Sequence, residues 1–540
     1  SSSINHIAKL SPINKKGYMG LDAFTIKNLE IFKSLSSQGL HGTLFQCLDM
    51  TKTAGGGRLL KHSLMNPITD IGRIRRRLNI VEAFTNNQKL LKFCRNNLER
   101  ISDIQRIIGK INQNKATPRD IIALSNSLEK IPIIKKSLLK NGNKYLSQLT
   151  NQFCDTIFIT KKINNTISES PSTQIIQGNI IKSGVDKELD ELRILLSSGK
   201  EWIETYKNKL REKLDISKLK VGFNKVFGYY IEVSKVHQNK IPQYLIRKQT
   251  LVSSERYITQ ELKEYEEKIL NAEQKILIIE TKLFKEICTY IIGHNLIIQK
   301  NAITINSLDL YCSFSFLSIN NNYVKPIISK DPILEIIKGR HPVVEKLLPP
   351  TEKFIPNSTI MDLNNSQIHL LTGPNMAGKS TYLRQVGLIV YMAQIGCFIP
   401  AKKARIGVVD KLFTRVGASD NLSGGESTFM VEMNEAANIL NNATNNSLIL
   451  LDEIGRGTST YDGLSLAWSM TEFIHNKIGL NARTIFATHY HELTQLENTL
   501  DRLENHHVQV KEYKDTIIFM RSISKGSGDK SYGIHVAKMA

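Results

Sequence analysis

Apolar residues in the first third of the chain recur three and four positions apart, a spacing that places them on one face of a helix. Residues 20–160 are therefore predicted to form helix after helix. The segment 160–185 is rich in Asn, Ser, Thr and Lys and is predicted to be a loop. We interpret this part of the chain as a scaffold. A clear example of the spacing is the set Leu90, Leu91, Cys94, Leu98 and Ile101.

Residues 216–256, here called the basic β-segment, have a different pattern. Aromatic and β-branched residues are dense, and glycines stand at 222 and 228, which predicts strands joined by tight turns. Eight Lys or Arg residues in this segment stand against only Glu232 and Glu255, a net charge of +6. The chain average would give about +2 over the same length, so positive charge is concentrated here.

A long helix is predicted next, because no Gly or Pro interrupts residues 257–292. Its apolar positions step alternately by three and four residues, and such a seam suits a partner helix running alongside. At 1.5 Å per residue, the helix would be about 54 Å long and would hold the basic β-segment at the end of a rigid arm. The seam residues are Leu262, Tyr265, Ile269, Ala272, Ile276, Ile279 and Leu283.

After about residue 320, short apolar runs alternate with helical stretches, which predicts an α/β domain with a mostly parallel sheet. One run, 367–372, leads into a segment that matches G-x-x-x-x-G-K-[ST] and is followed by a helical pattern. In this context main-chain N–H groups and the helix N-terminus bind phosphates. We predict that Lys379 reaches the β- and γ-phosphates and that Ser380 binds Mg²⁺ through its hydroxyl. The segment is Gly373, Pro374, Asn375, Met376, Ala377, Gly378, Lys379, Ser380 and Thr381.

Three further side chains are predicted to join this loop, because each follows an apolar strand. Asp452 and Glu453 end the run 447–453, and two adjacent carboxylates beside a triphosphate are costly unless a cation neutralises them. We predict that Asp452 holds the metal and that Glu453 polarises the attacking water. His489 follows the next strand and is predicted to sense the γ-phosphate and orient water.

A second Gly-rich turn opens a helix at 421–433, and its N-terminus is another anion-binding end. One nucleotide needs only one phosphate cradle. We therefore predict that this turn closes on the nucleotide of another subunit, in a dimer with two composite sites.

Composition limits the class of protein. The net charge of +22 favours an anionic partner such as nucleic acid or a membrane surface. The alternative is that a general bias of the chain toward Ile, Asn and Lys produces this charge without any functional reason. The six cysteines show no C-x-x-C spacing, so they suggest neither a zinc site nor a redox motif. They are also too sparse for a disulfide scaffold, and a reducing compartment fits better. No uncharged apolar run reaches the roughly 18 residues that a membrane helix needs. Residues 1–4 show no signal peptide and no initiator Met, so we expect a fragment of a longer chain.

These motifs closely resemble the MutS family of DNA mismatch-repair ATPases, within the ABC-type ATPase superfamily. The resemblance covers nearly the whole chain, and the DEIGRGTST stretch is especially specific. Ala377 departs from the Gly that many relatives have, a small change that should keep the shape of the loop. The matching stretches are GPNMAGKSTYLRQ (373–385), ESTFMVEMNEAANIL (426–440), LLDEIGRGTSTYDGLSLAW (450–468), FATHYHELTQL (486–496), SYGIHVA (531–537), YMGLDAFTIKNLEIF (18–32), VFGYYIEVSK (226–235), RKQTLVSSERYITQELKEYEEKIL (247–270) and GRHPVVE (339–345).

The resemblance implies a multidomain protein: an all-α core and lever domain with an inserted small β-rich clamp, then an α/β ABC-type P-loop ATPase. It implies core and lever helices, with the end of the connector, at 1–200, a clamp at 201–262, further lever and core helices at 263–320 and the ATPase at 321–540. It also implies that Ser427 faces the γ-phosphate of the partner subunit's nucleotide, and that Phe354 and His507 flank the adenine ring.

The same resemblance implies double-stranded DNA, a second copy of the chain and a repair factor of the MutL type as partners, with ATP and Mg²⁺ as ligands, no membrane and a cytoplasmic, nucleoid-associated location. Clamp cations would contact DNA phosphates, giving salt-sensitive binding. The candidates are Lys225, Lys235, Arg247, Lys248 and Arg256.

The family reads mismatches with a Phe-x-Glu wedge in an N-terminal domain that, with most of the connector, we expect to lie outside this chain. Phe284-Lys285-Glu286 has that spacing, but a wedge needs an exposed tip and this one falls within the long helix. We therefore expect weak duplex binding with little preference for mismatches. Three alternatives share the ATPase motifs: a chromosome-organising ABC ATPase, the energising subunit of a membrane transporter, and a family branch that acts on branched or recombining DNA.

Overall fold

The structure is a computed structural model and describes residues 17–224, 228–374, 377–416, 428–513 and 516–528. The α-helices are α1 Ala23–Asn28, α2 Leu44–Leu48, α3 Ala54–Met65, α4 Ile71–Thr85, α5 Gln88–Leu98, α6 Ile104–Asn112, α7 Pro118–Lys140, α8 Lys144–Thr150, α9 Ile157–Thr166, α10 Lys187–Leu214, α11 Gln260–Gly293, α12 Asn295–Asn320, α13 Pro342–Leu347, α14 Lys379–Gln394, α15 Thr428–Asn442 and α16 Thr460–Asn476. Short 3₁₀ turns lie at Ile175–Gln177, Lys235–Lys240 and His491–Asn498.

The β-strands follow the predicted division, since few of them precede the basic β-segment and most follow residue 320. A helical part and a mixed α/β part are therefore confirmed. The strands are β1 Gly20–Leu21, β2 Lys220–Asn224, β3 Gly228–Ser234, β4 Ile246–Thr250, β5 Ser254–Ile258, β6 Ile327–Ser329, β7 Leu334–Gly339, β8 Asn357–Met361, β9 Ile368–Thr372, β10 Lys403–Gly407, β11 Lys411–Arg415, β12 Leu448–Asp452, β13 Arg483–Ala487, β14 Leu503–Tyr513 and β15 Thr516–Lys525.

A seven-stranded sheet organises the α/β part, in the order β1-β11-β12-β13-β9-β14-β15. Every neighbouring pair is parallel except β14 and β15. All five residues of β9, of β12 and of β13 are buried, as expected for parallel strands covered on both faces. Because these three strands are parallel neighbours, their carboxyl ends lie at the same edge of the sheet. A four-stranded sheet, β6-β10-β7-β8, belongs to the same part of the chain.

The chain divides into two compact units. The first comprises the described parts of Ser1–Glu99, Ile134–Gln152 and Ile303–Ala540, and the second comprises Arg100–Ile133 and Phe153–Ala302. The first helices therefore pack with the α/β part: β1 pairs with β11, and Asn28 donates a side-chain hydrogen bond to the carbonyl of Thr414. These units cut across the four segments that the resemblance implies, because contacts over long sequence separations decide packing.

In the second unit, the basic β-segment forms an antiparallel sheet in the order β2-β3-β5-β4. The sheet is inserted between α10 and α11, and the two helices pack together where Trp202 stacks on Tyr265 with ring centroids 3.7 Å apart. Ile231 and Tyr257 bury their side chains in a common core with Leu262 of α11. The sheet and its helices therefore share one small core.

In the first half of α11 the seam residues are buried as predicted, apart from the half-buried Ile269, and in the second half the buried face departs from the seam. After Ile276 the buried residues are Glu280, Phe284, Ile287 and Ile291, not Ile279 and Leu283. A straight helix of 3.6 residues per turn drifts from a 3.5-residue pattern, so the packed face moves by about one position. Phe284 is 5% exposed, which agrees with its exclusion as a mismatch wedge.

Helix α12 is long and apolar enough, by length and composition, to cross a membrane, but 67% of its most apolar window is buried inside the protein. Asp309, within this helix, accepts hydrogen bonds from the main-chain N–H groups of Lys52 and Thr53. These contacts are those of a core helix.

Candidate nucleotide and nucleic-acid sites

The predicted phosphate-binding motif spans the turn after β9 and the first residues of α14. Gly373 has φ +148°, and a Cβ there would lie 3.2 Å from the Cβ of Val508. Gly378 has φ +101° and precedes the first residue of α14, Lys379. Both positions favour glycine, because side chains rarely adopt these backbone angles. Pro374 and Thr381 lie in the described part of the loop and helix, Ala377 is buried, and Asn375 and Met376 lie outside the described residues.

Lys379 is the central cation of this site and is 4% exposed. Its Nζ atom donates to the carbonyl oxygens of Gly373, at 2.6 Å, and Pro374, at 3.2 Å. The same atom lies 3.7 Å from Oε1 of Glu453. Burial lowers the pKa of Lys379, while Glu453 and Asp452 oppose that shift. The carboxylates at the end of β12 thus help to keep this buried ammonium charged.

Asp452 is the last residue of β12 and is 4% exposed. Burial raises the pKa of its carboxyl group, although a hydrogen bond from Ser380 and the nearby Lys379 oppose the shift. Its Oδ1 atom is buried without a hydrogen-bond partner. A buried carboxylate oxygen with an unused lone pair is suited to a cation such as Mg²⁺, which takes oxygen ligands.

Glu453 follows β12 with φ +55°, a left-handed conformation that is uncommon for residues other than glycine. Its main-chain N–H donates to the carbonyl of Ala487 at 2.8 Å. Its Oε2 atom lies 2.8 Å from Nη1 of Arg456. The carboxylate therefore has a cation on each side, Lys379 and Arg456, and faces the phosphate loop.

His489 follows β13 and is exposed, with its ring 4.1 Å from that of Tyr490. Partial burial and the charge of Arg456 lower its pKa, while Glu453 opposes the shift. A neutral imidazole at neutral pH can accept a proton or position water. The structure thus brings Lys379, Asp452, Glu453 and His489 to one edge of the sheet.

A cavity of about 270 Å³ lies beside the loop, lined by Phe354 together with Ala377, Gly378 and Thr381. Phe354 therefore borders the described part of the loop. His507 lies on β14 in register with Thr372, and its Nδ1 lies 2.9 Å from the carbonyl of Gly526. His507 does not line this cavity, although its neighbour Val508 does.

Sequence reasoning missed three cations near this site. Arg456 pairs with Glu453, and Lys353 and Arg521 line the cavity with Phe354. The pairing of Arg456 could have been predicted, because Arg456 stands three residues after Glu453. Arg521 gave no such signal, because it comes from β15 far along the chain.

The Gly-rich turn predicted to act on a partner subunit lies mostly outside the described residues, and Ser427 is among those outside. The described helix α15 begins at Thr428. Its Glu432 and Glu435 are buried and lie 3.5 Å and 2.9 Å from the guanidinium of Arg415. The helix is therefore fastened to the end of β11.

The five predicted DNA-contact cations differ in what they touch. Lys235 and Lys248 are exposed. The side chain of Arg247 is 60% exposed and lies 3.5 Å from Glu255. Lys225 lies outside the described residues.

Arg256 is engaged within the sheet. Its guanidinium lies 3.2 Å from Glu232, donates to Gln249 at 3.0 Å and lies 4.1 Å from the ring centroid of Tyr230. Its side chain is only 18% exposed. These contacts make Arg256 a weaker candidate for phosphate contact than the exposed cations.

Two family models match the chain. The model described as MutS domain III matches residues 24–315, and the model described as MutS domain V matches residues 369–540. The first match covers the helices and the basic β-segment, and the second begins within β9.

Curated relatives match the chain over nearly its whole length. A DNA mismatch repair protein MutS from Salinibacter ruber (strain DSM 13855 / M31) is 46% identical over 538 residues, which are 100% of this chain and 59% of the relative. The protein of the same name from Bacteroides fragilis (strain YCH46) is 47% identical over 539 residues, 100% of this chain and 62% of the relative. The chain thus spans about three-fifths of the length of these relatives.

Proposed function

This chain belongs to the MutS family, and on that basis we propose that it provides the ATPase and DNA clamp of a DNA mismatch repair protein. The observation that carries the proposal is the meeting of Lys379, Asp452 and Glu453 at the loop between β9 and α14. P-loop NTPases bind the phosphates with the loop and its Lys, hold Mg²⁺ with an Asp and position the attacking water with a further side chain.

The residues present fit ATP and Mg²⁺. The loop offers a helix N-terminus and the ammonium of Lys379 for phosphates, and Phe354 borders a cavity beside it for the base. Ser380 and the unpartnered Oδ1 of Asp452 offer oxygen ligands for a hard divalent cation. When bound, Mg²⁺ would neutralise phosphate charge.

Glu453 and His489 would act on the attacking water. Glu453 would polarise the water by accepting its proton as the water oxygen attacks the γ-phosphate. His489, neutral at neutral pH, would hold the same water or contact the γ-phosphate. Lys379 would stabilise negative charge on the phosphate oxygens in the transition state.

A homodimer would complete each site, with Ser427 of the Gly-rich segment facing the nucleotide of the partner subunit. Supporting this, α15 follows that segment directly and is fixed by buried ion pairs to Arg415. ATP binding would then draw the two sites together and hydrolysis would release them.

The basic β-segment would contact the DNA backbone, since phosphate contacts give affinity without sequence preference. Lys235, Arg247 and Lys248 are the best candidates because they are exposed and positively charged. Lever helices would carry movement between the nucleotide sites and this clamp. In a cytoplasmic, nucleoid-associated repair system, the complex would recruit a partner of the MutL type.

The decisive experiment measures ATP hydrolysis by the purified chain with Mg²⁺, with and without duplex DNA. Lys379→Ala should lower turnover by about 100-fold or more, because it removes a positioned cation from the transition state. Lys403→Ala changes an exposed lysine on β10 and serves as the control, with turnover unchanged. Undiminished hydrolysis in Lys379→Ala would contradict the site.

The DNA arm of the experiment compares matched duplex, mismatched duplex and a four-way junction. Stimulation of turnover by duplex supports the repair clamp. Preferential stimulation by the junction would favour the family branch that acts on branched DNA, and no response to any DNA would contradict the clamp.

A further inference from the structure

Two histidines and a glutamate meet on neighbouring strands, away from the phosphate loop. His369 lies on β9, and Glu504 and His506 lie on β14, with His369 in register with Glu504. Glu504 and His506 are two positions apart, so their side chains leave the same face of the sheet. One nitrogen or oxygen atom from each of the three residues lies within 4.8 Å of the others.

The distances between these atoms are those of a small chelating set. Nε2 of His369 lies 3.8 Å from Oε2 of Glu504, and Nε2 of His506 lies 3.5 Å from the same oxygen. In a tetrahedral zinc site with metal–ligand bonds of about 2.0–2.2 Å, neighbouring ligand atoms are about 3.4 Å apart. The two imidazole rings lie with their centroids 4.1 Å apart and their planes tilted by 31°, so one ring would rotate before both Nε2 lone pairs point at the same cation.

The hydroxyl of Ser366 also belongs to this cluster. Oγ of Ser366 lies 2.8 Å from Nε2 of His369 and 2.9 Å from Oε2 of Glu504, and its single proton can serve only one of them. Nε2 of His506 is buried, and its contact with Oε2 of Glu504, at 3.5 Å, is longer than a good hydrogen bond. With each imidazole proton on Nδ1, the remaining lone pairs would converge, and a cation between them would stabilise them.

The protonation states suit metal binding. Burial lowers the pKa of His369 well below its usual value and also lowers that of His506, so both rings are neutral at neutral pH. The hydrogen bond of His369 to the main chain of Ile360 favours a proton on its other nitrogen, which leaves Nε2 as a free lone pair. Although burial raises the pKa of Glu504, bonds from Lys525 and Ser366 lower it overall.

We propose that His369, Glu504 and His506 bind a divalent transition-metal cation, with Zn²⁺ the best match to two imidazoles and one carboxylate. The fourth ligand would be water or the hydroxyl of Ser366. The bound cation would join β9 to β14 about four residues before the phosphate loop, roughly 13 Å along the strand. It would be distinct from Mg²⁺ at Asp452 and would brace the strand that carries the loop.

Lys525 is the charged group that opposes the cation. Its Nζ atom lies 2.6 Å from Oε1 of Glu504, the oxygen that the metal would leave free. The side chain is 66% exposed, so the ammonium can turn toward solvent. Lys525→Met should therefore strengthen metal binding severalfold, a change opposite in direction to the loss of a ligand.

The test uses the full chain, freed of metal by a chelator and kept without nucleotide, and titrates it with Co²⁺ and then Zn²⁺. One equivalent of Co²⁺ should give the intense visible absorption of tetrahedral coordination, and one equivalent of Zn²⁺ should abolish it. His506→Phe and Glu504→Gln should each weaken binding by about 100-fold or more. His489→Gln, which changes a histidine of the nucleotide site, is the matched control and should bind as the unchanged chain does.

Thermal unfolding supplies a second readout, because a ligand of the folded state raises the midpoint. Zn²⁺ should raise the midpoint of the unchanged chain and of His489→Gln, and should leave that of Glu504→Gln unmoved. Absence of the tetrahedral spectrum in the unchanged chain would overturn the proposal, as would equal binding by the unchanged chain and both ligand variants. Neither readout involves ATP, so failure here is distinguishable from failure of the proposed ATPase.

Discussion

The carboxylate of Glu432 accepts a hydrogen bond of 2.5 Å from the main-chain N–H of Gly455. Glu432 lies on α15, directly after the Gly-rich segment, and Gly455 lies two residues after Glu453. Arg415 holds the other oxygen of Glu432 at 3.5 Å. One buried side chain therefore links the helix proposed to present the trans segment with the loop that carries the proposed water-activating carboxylate.

Removing Arg415, the cation that faces the buried Glu432 and Glu435, should destabilise the fold. Arg415→Met leaves Glu432 and Glu435 buried without their counter-charge, a change that costs about 3–5 kcal/mol in comparable sites. The midpoint of urea unfolding measures the effect. Arg405→Met is the matched control, since Arg405 pairs with Asp331 at the surface, where such pairs contribute about 1 kcal/mol or less. Equal shifts in the two variants would show that the buried pairs contribute nothing special.

Glu453→Gln should separate nucleotide binding from hydrolysis. The amide keeps the size of the side chain but cannot accept a proton, so turnover should fall by about 100-fold or more while ATP still binds. Steady-state hydrolysis and the binding of a fluorescent ATP analogue measure the two effects. Glu492→Gln, a nearby glutamate that affects the charge around His489, should retain turnover. Loss of binding in Glu453→Gln would assign the carboxylate a structural role instead.

Folding stability should fall on acidification through His341. Its Nδ1 accepts a hydrogen bond from the main-chain N–H of Val344 at 3.1 Å and caps α13. Burial lowers the pKa of His341 to about 3. The unfolded chain therefore takes up this proton first, and stability falls as the pH drops below about 6.5, by about 1.4 kcal/mol per pH unit.

His341→Asn isolates this contribution, because Asn retains a capping oxygen and does not titrate. Urea unfolding measured from pH 7 to pH 5 should show a shallower loss of stability in the variant than in the unchanged chain. Parallel pH profiles would rule out His341 as the source of the acid sensitivity.

Exposed cations of the basic β-segment should contribute more to DNA binding than cations already engaged within the sheet. Lys248→Gln removes an exposed charge, so duplex binding should weaken regardless of sequence, and the slope of log affinity against log salt should fall by about 1. Fluorescence anisotropy at several salt concentrations measures both. Arg256→Gln should leave that slope nearly unchanged and lower the thermal stability of the sheet, because its guanidinium already pairs with Glu232. A larger drop in slope for Arg256→Gln than for Lys248→Gln would reverse the assignment.

The sequence by itself determined those features whose residues stand next to one another along the chain. The phosphate loop, the carboxylates at the end of β12 and the histidine after β13 each follow an apolar run, and parallel strands bring their ends together wherever they are neighbours. The strands and tight turns of the basic β-segment could also be predicted, because turn residues and β-branched residues favour these structures within a few positions of the chain.

Only the tertiary structure decided which side chains are already engaged and which distant residues meet. Arg256 pairs with Glu232, and β1 pairs with β11. The buried face of α11 includes Glu280, which lies 2.6 Å from Arg193. The tertiary structure also brought His369 beside Glu504 and His506. Such contacts join residues far apart in the chain, so their existence depends on the packing of whole elements and leaves no local pattern in the sequence.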